Sequence, residues 1–497
     1  MKNNSLENLN LIIPMAGSGS RFKNKGYKEF KPFIKIDQKY MVEKIIDNFP
    51  EYVEKWVITC KEYLKDSEIE FLKTKNTNVI YIDPHKEGPA YSIIQASKEL
   101  PLDQSFFISY CDIDWTWNFN DTKSELDKDG IIFTHSSFHP HKLINNKSAF
   151  CKEKENRLIE IKEKESFTSN WMNEPLSIGL FFVKNGHAMI NSIKNLIKKN
   201  IRVNDEFFPS LIFNEMVNNK KKILLKEVDY FIHWGIPEQL EDFKEWEVKI
   251  KKIRNFNTKQ TKYFDSLICM GGTGSRMGNL KLGYKGFIKI NKIPMFKFVS
   301  GFFLGKNNTV ITHKDIFIKN KTKFNNFRKI IFDKKTSSQL ETLIKVKQKI
   351  FKQKNFFLLS CDAFSFLDYN KLLSTISKED SDAVIFLFKP SLINSIDKKS
   401  HTYVTIQSNK IKSINIKKKK KIDDLGLAGF FWFADGKVFK EISNVKSDKK
   451  NEMSIDHFII HLINLKKKIS YVILDYYCHL GTEKEYLEFD FWNKNIN

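Results

Sequence analysis

Near the start of the chain, IIPMAGSGSRF (Ile12–Phe22) sets an apolar run, a burst of small residues and an arginine side by side. Gly17 and Gly19 permit positive φ and a close approach of backbone to a ligand. Together with Ala16, Ser18 and Ser20 they can turn successive N–H groups inward to cradle a triphosphate. Arg21 can fork two phosphate oxygens, and Lys31, further on beside Pro32, can place a point charge at the phosphorus under attack. The loop is not a Walker A loop, because no Gly-Lys-Ser/Thr follows, and it lacks the spacing of a dinucleotide fingerprint. A second device is YCDIDW (Tyr110–Trp115). Asp112 closes a strand and Asp114 lies two residues on, so an extended segment would face both carboxylates to one side. Such a pair beside a phosphate loop suits Mg²⁺, which takes few carboxylates plus substrate phosphates.

Both devices occur twice. LICMGGTGSRM (Leu267–Met277) repeats the loop, and FFLLSCDAF (Phe356–Phe364) repeats FFISYCDID (Phe106–Asp114). KPFIKI (Lys31–Ile36) matches KGFIKI (Lys285–Ile290), VITCK (Val57–Lys61) matches VITHK (Val310–Lys314), and LSIGLFFVKNG (Leu176–Gly186) matches LGLAGFFWFADG (Leu425–Gly436). DYFIHWGIPEQLEDF (Asp229–Phe243) matches DYYCHLGTEKEYLEF (Asp475–Phe489). Blocks in one order at a nearly constant offset mean that a whole unit was copied. The expected division is domain 1 over residues 1–248, a Lys-rich linker over 249–262, and a more divergent domain 2 over 263–497. The second copy keeps Gly272, Gly274, Ser275, Arg276, Lys285 and Asp362. It has Gly286 for Pro32 and Phe364 for Asp114.

The elements that must position these residues alternate along each copy. LNLIIPM, KWVITC, SFFISY, GIIFTHS and LSIGLFFV read as β-branched or aromatic strands, whereas MVEKIIDNF and AYSIIQASKEL carry apolar residues at helical spacing. The expected fold class is α/β: two tandem Rossmann-like domains, each a mainly parallel mixed sheet with helices on both faces. The glycine loop and the CDID segment both follow apolar strands, so they belong at one rim, at the carboxyl ends of the strands where ligands bind.

Taken together, GSGSRF…KPF and CDID resemble the sugar-phosphate nucleotidyltransferases, the family of glucose-1-phosphate thymidylyltransferase and mannose-1-phosphate guanylyltransferase, whose domain is GT-A-like. EGPAYSII (Glu87–Ile94) is similar to the family's base-recognition turn, with Gly88 at the close approach. EIKEK (Glu160–Lys164) resembles the segment that meets the sugar phosphate, IGLFFV the sugar-side glycine strand, and HWGIPEQLEDF the closing segment. The resemblance implies that Ala16, Gly17, Ser18, Gly19, Ser20 and Gly88 bind a nucleoside triphosphate. It implies that Arg21, Lys31 and Asp112 are catalytic, that Asp112 and Asp114 hold Mg²⁺, and that Glu163, Lys164 and Gly179 line the acceptor site. The implied partners are a nucleoside triphosphate and a small phosphorylated acceptor, in precursor synthesis for surface polysaccharide or glycoconjugate. One departure is that His233 and His479 stand where the family usually places an acidic metal ligand; structural histidines are the plain expectation for both. The second copy is read as active but divergent, or as a degenerate half that pairs with the first within the chain.

Bulk composition narrows the class. Hydrophobic residues make up 41 % of 497, with 44 Phe, which is a globular composition. Six cysteines without a CxxC pair are expected as reduced, buried thiols, with no disulfide framework or zinc site. Lys+Arg 83 against Asp+Glu 59 gives +24, but the excess is dispersed lysine, with one dense run at Lys417–Lys421. That reads as solvated faces, with no nucleic-acid partner expected. No apolar run is long enough to span a bilayer, no signal-peptide pattern opens the chain, and the expected location is the cytoplasm. Three other readings use the same residues: a cytidylyltransferase acting on a phospho-alcohol, a metal-dependent glycosyltransferase built on Asp-Ile-Asp, and a non-catalytic binder of nucleotide sugars.

Overall fold

The computed structural model describes residues 8–143, 147–256, 264–271, 277, 284–303, 305, 307–334, 336–390, 401–445 and 453–496. The chain divides into two compact units, Met1–Trp246 and Glu247–Asn497. The boundary falls inside the helix Pro237–Asn255, so the first residues of the expected linker are helical; residues 257–262 of it lie outside the described residues. Among the described residues no helix is long and apolar enough to cross a membrane.

The first unit contains β1 (Leu9–Pro14), β2 (Lys35–Ile36), β3 (Lys39–Tyr40), β4 (Glu54–Thr59), β5 (Thr77–Tyr81), β6 (Ser105–Ser109) and β7 (Ile113–Thr116). It continues with β8 (Gly130–His135), β9 (Phe150–Lys154), β10 (Arg157–Lys162), β11 (Leu176–Val183), β12 (Ile223–Glu227) and β13 (Tyr230–His233). Nine of these form one sheet in the order β5-β4-β1-β6-β11-β8-β12-β10-β9. The half β5-β4-β1-β6 is parallel. From β6 onward the pairs are antiparallel except β8–β12. The sheet is therefore mixed and not mainly parallel. The cause is that β11 and β10 each run against both of their neighbours in the sheet order.

Continuous apolar strands are buried on both faces, and their period of two divides them between two cores. Ile12, Ile58, Phe106, Ile108 and Phe181 pack on one face against the helices Pro89–Ala96, Gly186–Lys198 and Ile212–Asn218. Leu11, Ile13, Val57, Phe107 and Phe182 pack on the other against the helices Met41–Asp47 and Asp66–Thr74. Truncating a side chain such as Phe107, fully buried, costs about 3–5 kcal/mol. β1 and β6 are parallel neighbours with Ile12 opposite Ile108, so the loops that follow them emerge at the same sheet edge.

The second unit contains β14 (Asp265–Met270), β15 (Lys289–Ile290), β16 (Ile293–Pro294), β17 (Asn308–His313), β18 (Arg328–Phe332), β19 (Lys354–Ser360) and β20 (Ala363–Ser365). Then come β21 (Ala383–Phe388), β22 (Tyr403–Gln407), β23 (Lys410–Asn415), β24 (Leu425–Asp435), β25 (Ile469–Leu474) and β26 (Tyr477–His479). Its main sheet runs β18-β17-β14-β19-β24-β21-β25, with β22 beside β24 and β23 beside β22. Matched in chain order, this path follows that of the first unit. The small pair β20–β26 answers β7–β13.

Candidate active site

In the first unit the loop after β1, the turn after β6 and the segment after β13 meet in a cleft of about 440 Å³. Lys31 opens a 3-10 turn, Lys31–Phe33, with Pro32 inside it and Phe30 and Phe33 buried on either side of the turn's start and end. That anchoring sends the ammonium into the cleft, where Lys31 Nζ lies 2.5 Å from Asp112 Oδ2 and donates to the Gly235 carbonyl at 3.1 Å. The same ammonium sits 5.3 Å above the Phe22 ring. Asp112 is fixed from behind: its carbonyl accepts from Trp234 N at 2.8 Å, and His233 Nε2 stands 3.5 Å from Oδ2. Burial by itself would raise the Asp112 carboxyl, but the Lys31 ammonium and the His233 imidazole hold it well below the usual carboxylate range. The neighbouring Cys111 thiol is pushed up to about 12 by burial and by the Asp112 charge, so it stays protonated and inert.

Gly17, Ser18, Gly19 and Ser20 form one wall with Ala16 and Arg21. Gly19 has φ +65 and precedes the short helix Ser20–Asn24, which accounts for a glycine there. Arg21 makes no ion pair among the described residues and remains available to a ligand. Glu163 and Lys164 also line the cleft. The Ser210 hydroxyl donates to Glu163 Oε2 at 2.7 Å, yet burial keeps the Glu163 carboxyl raised. Lys164 Nζ lies 3.5 Å from Glu206 and 4.4 Å over the Phe208 ring. Gly179 lies at the irregularity in β11, with φ +87, where a Cβ would strike the Tyr110 ring.

Two expectations change. Gly88, at φ +92, lines the cleft, but a Cβ there would come within 2.8 Å of the Phe207 backbone. Its close approach is therefore to the chain itself, where Ala90 N and Phe207 N exchange bonds with Phe207 and Glu87 carbonyls. Asp114 is not beside Asp112 on the cleft wall. Asp112 sits in the turn before β7, so the alternation of a strand does not relate the two carboxylates. Asp114 instead takes Lys44 Nζ at 3.2 Å, Asn48 Nδ2 at 3.3 Å and Trp115 N at 2.9 Å. The Asp-x-Asp metal pair, and the glycosyltransferase reading built on it, lose their geometric basis. Two cleft residues escaped the sequence reading. Gly235 lends its carbonyl to Lys31, and a Cβ there would strike the His233 ring. His85 accepts from Glu87 N at 3.1 Å and meets Ser92 Oγ at 2.9 Å. The repeated His-x-Gly could have signalled the first; nothing in the sequence marks the second.

A divalent cation fits this donor set through Asp112. Its carboxylate is held anionic, lines the cleft, and takes no protein donor on Oδ1 among the described residues. One carboxylate completed by substrate phosphates and water is the arrangement that Mg²⁺ favours.

In the second unit a cleft of about 320 Å³ holds the same trio. Lys285 pairs with Asp362 and donates to the Gly481 carbonyl at 3.0 Å, while Leu480 N donates to the Asp362 carbonyl at 2.7 Å. His479 Nε2 is 3.7 Å from Asp362 Oδ2. Burial opposes the Asp362 charge, but Lys285 and His479 hold its carboxyl well below the usual range. Gly272, Gly274, Ser275 and Arg276 lie outside the described residues.

Residues 11–116 match the family model of the MobA-like NTP transferase domain. The chain carries a nucleotidyltransferase domain. The match takes in the glycine loop, Lys31, Gly88 and Asp112, and stops short of Glu163, Lys164, Gly179 and the second unit. No curated protein sequence matches the chain. Among solved structures it is similar to a nucleoside-diphosphate-sugar pyrophosphorylase from Vibrio cholerae RC9 (16 % identity, 47 % of this chain and 98 % of that one, TM-score 0.40). It is also similar to the inositol-1-phosphate CTP transferase from T. maritima (13 % identity, 48 % and 99 %, TM-score 0.39).

Proposed function

We propose that the first unit transfers a nucleotidyl group from a nucleoside triphosphate to a sugar 1-phosphate, or a similar small phosphate, in the presence of Mg²⁺. An acceptor phosphate oxygen forms a bond to the α-phosphorus, the bond from that phosphorus to the bridging oxygen breaks, and pyrophosphate leaves. The observation that carries the reading is the half-buried Lys31–Asp112 pair in the cleft that the glycine loop, Glu163 and Lys164 also line. Little covalent work falls to the protein in such a transfer; positioning and charge neutralisation set the rate.

The glycine-loop amides and Arg21 receive the β- and γ-phosphates and stabilise the departing pyrophosphate. Lys31, held by Asp112 and Gly235, meets the charge that grows on the α-phosphoryl oxygens. Asp112 would hold a Mg²⁺ ion, which would supply positive charge to the substrate phosphates. Lys164 offers a cation to the acceptor phosphate, and Glu163, whose carboxyl burial raises from its ordinary value, lines the acceptor side beside it. In this reading the second unit is a divergent copy of the same enzyme, supported by its matching strand path and its Lys285–Asp362 pair.

The test is pyrophosphate release with each of CTP, UTP, GTP, dTTP and ATP against a panel of sugar 1-phosphates and phospho-alcohols. It is run on the wild type, Lys31→Ala and Lys285→Ala. Acceptor-dependent release lost in Lys31→Ala supports the reading, and release unchanged in that variant removes it for the first unit. No release with any pair, while nucleotide sugars still bind, favours a non-catalytic binder.

A further inference from the structure

Among the described residues, the second unit holds a three-residue polar cluster of which the first shares only the histidine. Glu485 opens the last helix as part of its cap, accepting on Oε2 from Thr482 N at 3.1 Å and Thr482 Oγ1 at 2.8 Å. The same oxygen meets His479 Nδ1 at 2.8 Å, and Oε1 meets His401 Nε2 at 3.1 Å. One ligand atom from each of His401, His479 and Glu485 lies within 4.8 Å of the others; among the described residues this is the one such group of three metal-binding side chains. The side chains are 5 %, 14 % and 7 % exposed. Both histidines line the cleft of the second unit.

The equivalent positions in the first unit show that the backbone does not require these residues. β9 with its turn matches β22 with its turn, which puts Ser148 at the place of His401, and the repeated closing segment puts Gln239 at the place of Glu485. Only the histidine is shared, as His233 and His479. One imidazole and a carboxylate have therefore been added beside the shared histidine, from positions 84 residues apart along the chain.

We infer that His401, His479 and Glu485 form a binding site for a zinc-class divalent ion at the edge of the second cleft. Two nitrogen donors and one carboxylate suit zinc, cobalt or nickel and not magnesium. Three protein ligands leave a coordination position on the cleft side for water or for an oxyanion of a bound ligand. Surrounding contacts hold the ligands in place. The Thr482 cap fixes Glu485 and aims its Oε1 at His401 Nε2, and the far nitrogen of His479 faces Asp362 at 3.7 Å, the carboxylate–histidine–metal arrangement that orients a ring.

The site stands independently of the nucleotidyl-transfer reading. The test titrates untagged full-length protein with Co²⁺ and Zn²⁺ in millimolar Mg²⁺, which occupies oxygen-only sites. Expected are one Zn²⁺ per chain by calorimetry, four-coordinate Co²⁺ visible bands bleached by Zn²⁺, and a Zn²⁺-dependent rise in Tm. His401→Ala and Glu485→Gln should each weaken Zn²⁺ binding by at least tenfold, whereas Gln239→Ala, in the first unit, leaves it unchanged. If a variant fails to fold, the wild-type Co²⁺ spectrum decides by itself. Absent binding, a six-coordinate Co²⁺ spectrum, or undiminished affinity in the folded variants would each overturn the proposal.

Discussion

The clefts of the two units share a centre and differ at the edges. In both, a lysine from a 3-10 turn pairs with an aspartate in the turn after a central strand, a histidine stands beside the aspartate, and a glycine carbonyl two residues after that histidine takes the lysine. Around that centre the residues diverge. Asp114 of the first unit sits on Lys44 and Asn48, whereas its counterpart Phe364 stacks on Phe302 at 4.4 Å in an aromatic cluster with Phe298 and Phe489. A position that tolerates either a carboxylate or a buried ring, and faces away from the cleft in both units, has a packing role. The comparison separates what the fold's chemistry needs from what each unit adds.

The largest effect expected is from removing the central lysine. Lys31→Ala should lower kcat/KM for pyrophosphate release by about 10²–10³-fold, the cost of one preorganised charge donor. Lys285→Ala on the same substrates reports whether the second centre contributes; equal losses would erase the functional distinction between the units. Gly88→Ala should destabilise the first unit by about 1–3 kcal/mol in denaturant unfolding, because φ +92 and the Phe207 backbone both exclude a side chain. An unchanged midpoint would mean that this turn is looser than its contacts indicate.

Glu163→Gln sharpens the comparison through pH. Glu163 is an acid whose folded pKa is raised by burial, so the native state holds its proton longer than the unfolded chain. Its contribution to stability therefore falls as pH rises through the ordinary carboxylate range, near ~4.3, and up through the raised value. The glutamine variant should show a higher Tm than wild type at neutral pH and no difference at pH 3, with weakened acceptor use. Asp112 has the opposite sign. Its folded pKa is depressed, so its stabilisation is present above the ordinary range, near ~3.9, and is lost only as pH falls below it. The smallest effect is expected for Asp114→Asn: kcat/KM within about threefold of wild type and the same Mg²⁺ dependence, with a stability loss of about 0.5–1.5 kcal/mol from the weakened Lys44 contact. A hundredfold loss of activity would return Asp114 to the metal site.

Much of the site was legible because its parts are local. The glycine loop is a contiguous string of small residues, and the strands announce themselves as apolar runs, so the loop and the CDID turn could be assigned to one sheet edge without coordinates. The repeat was legible because like segments recur in order. What the sequence by itself determined was thus the elements, their duplication, and the residue types at the cleft: Gly17, Gly19, Arg21, Lys31 and Asp112.

Tertiary structure decided how those residues are used. The turn at Cys111–Asp112 breaks the strand before β7, so alternation could not foresee that Asp114 would turn to Lys44. Gly235 meets Lys31 across 204 residues of chain, and His401 meets Glu485 across 84. Such contacts leave no local pattern, because they depend on which strands lie side by side and in what register. The direction of β11, which made the sheet mixed, follows likewise from packing between both cores and not from its composition.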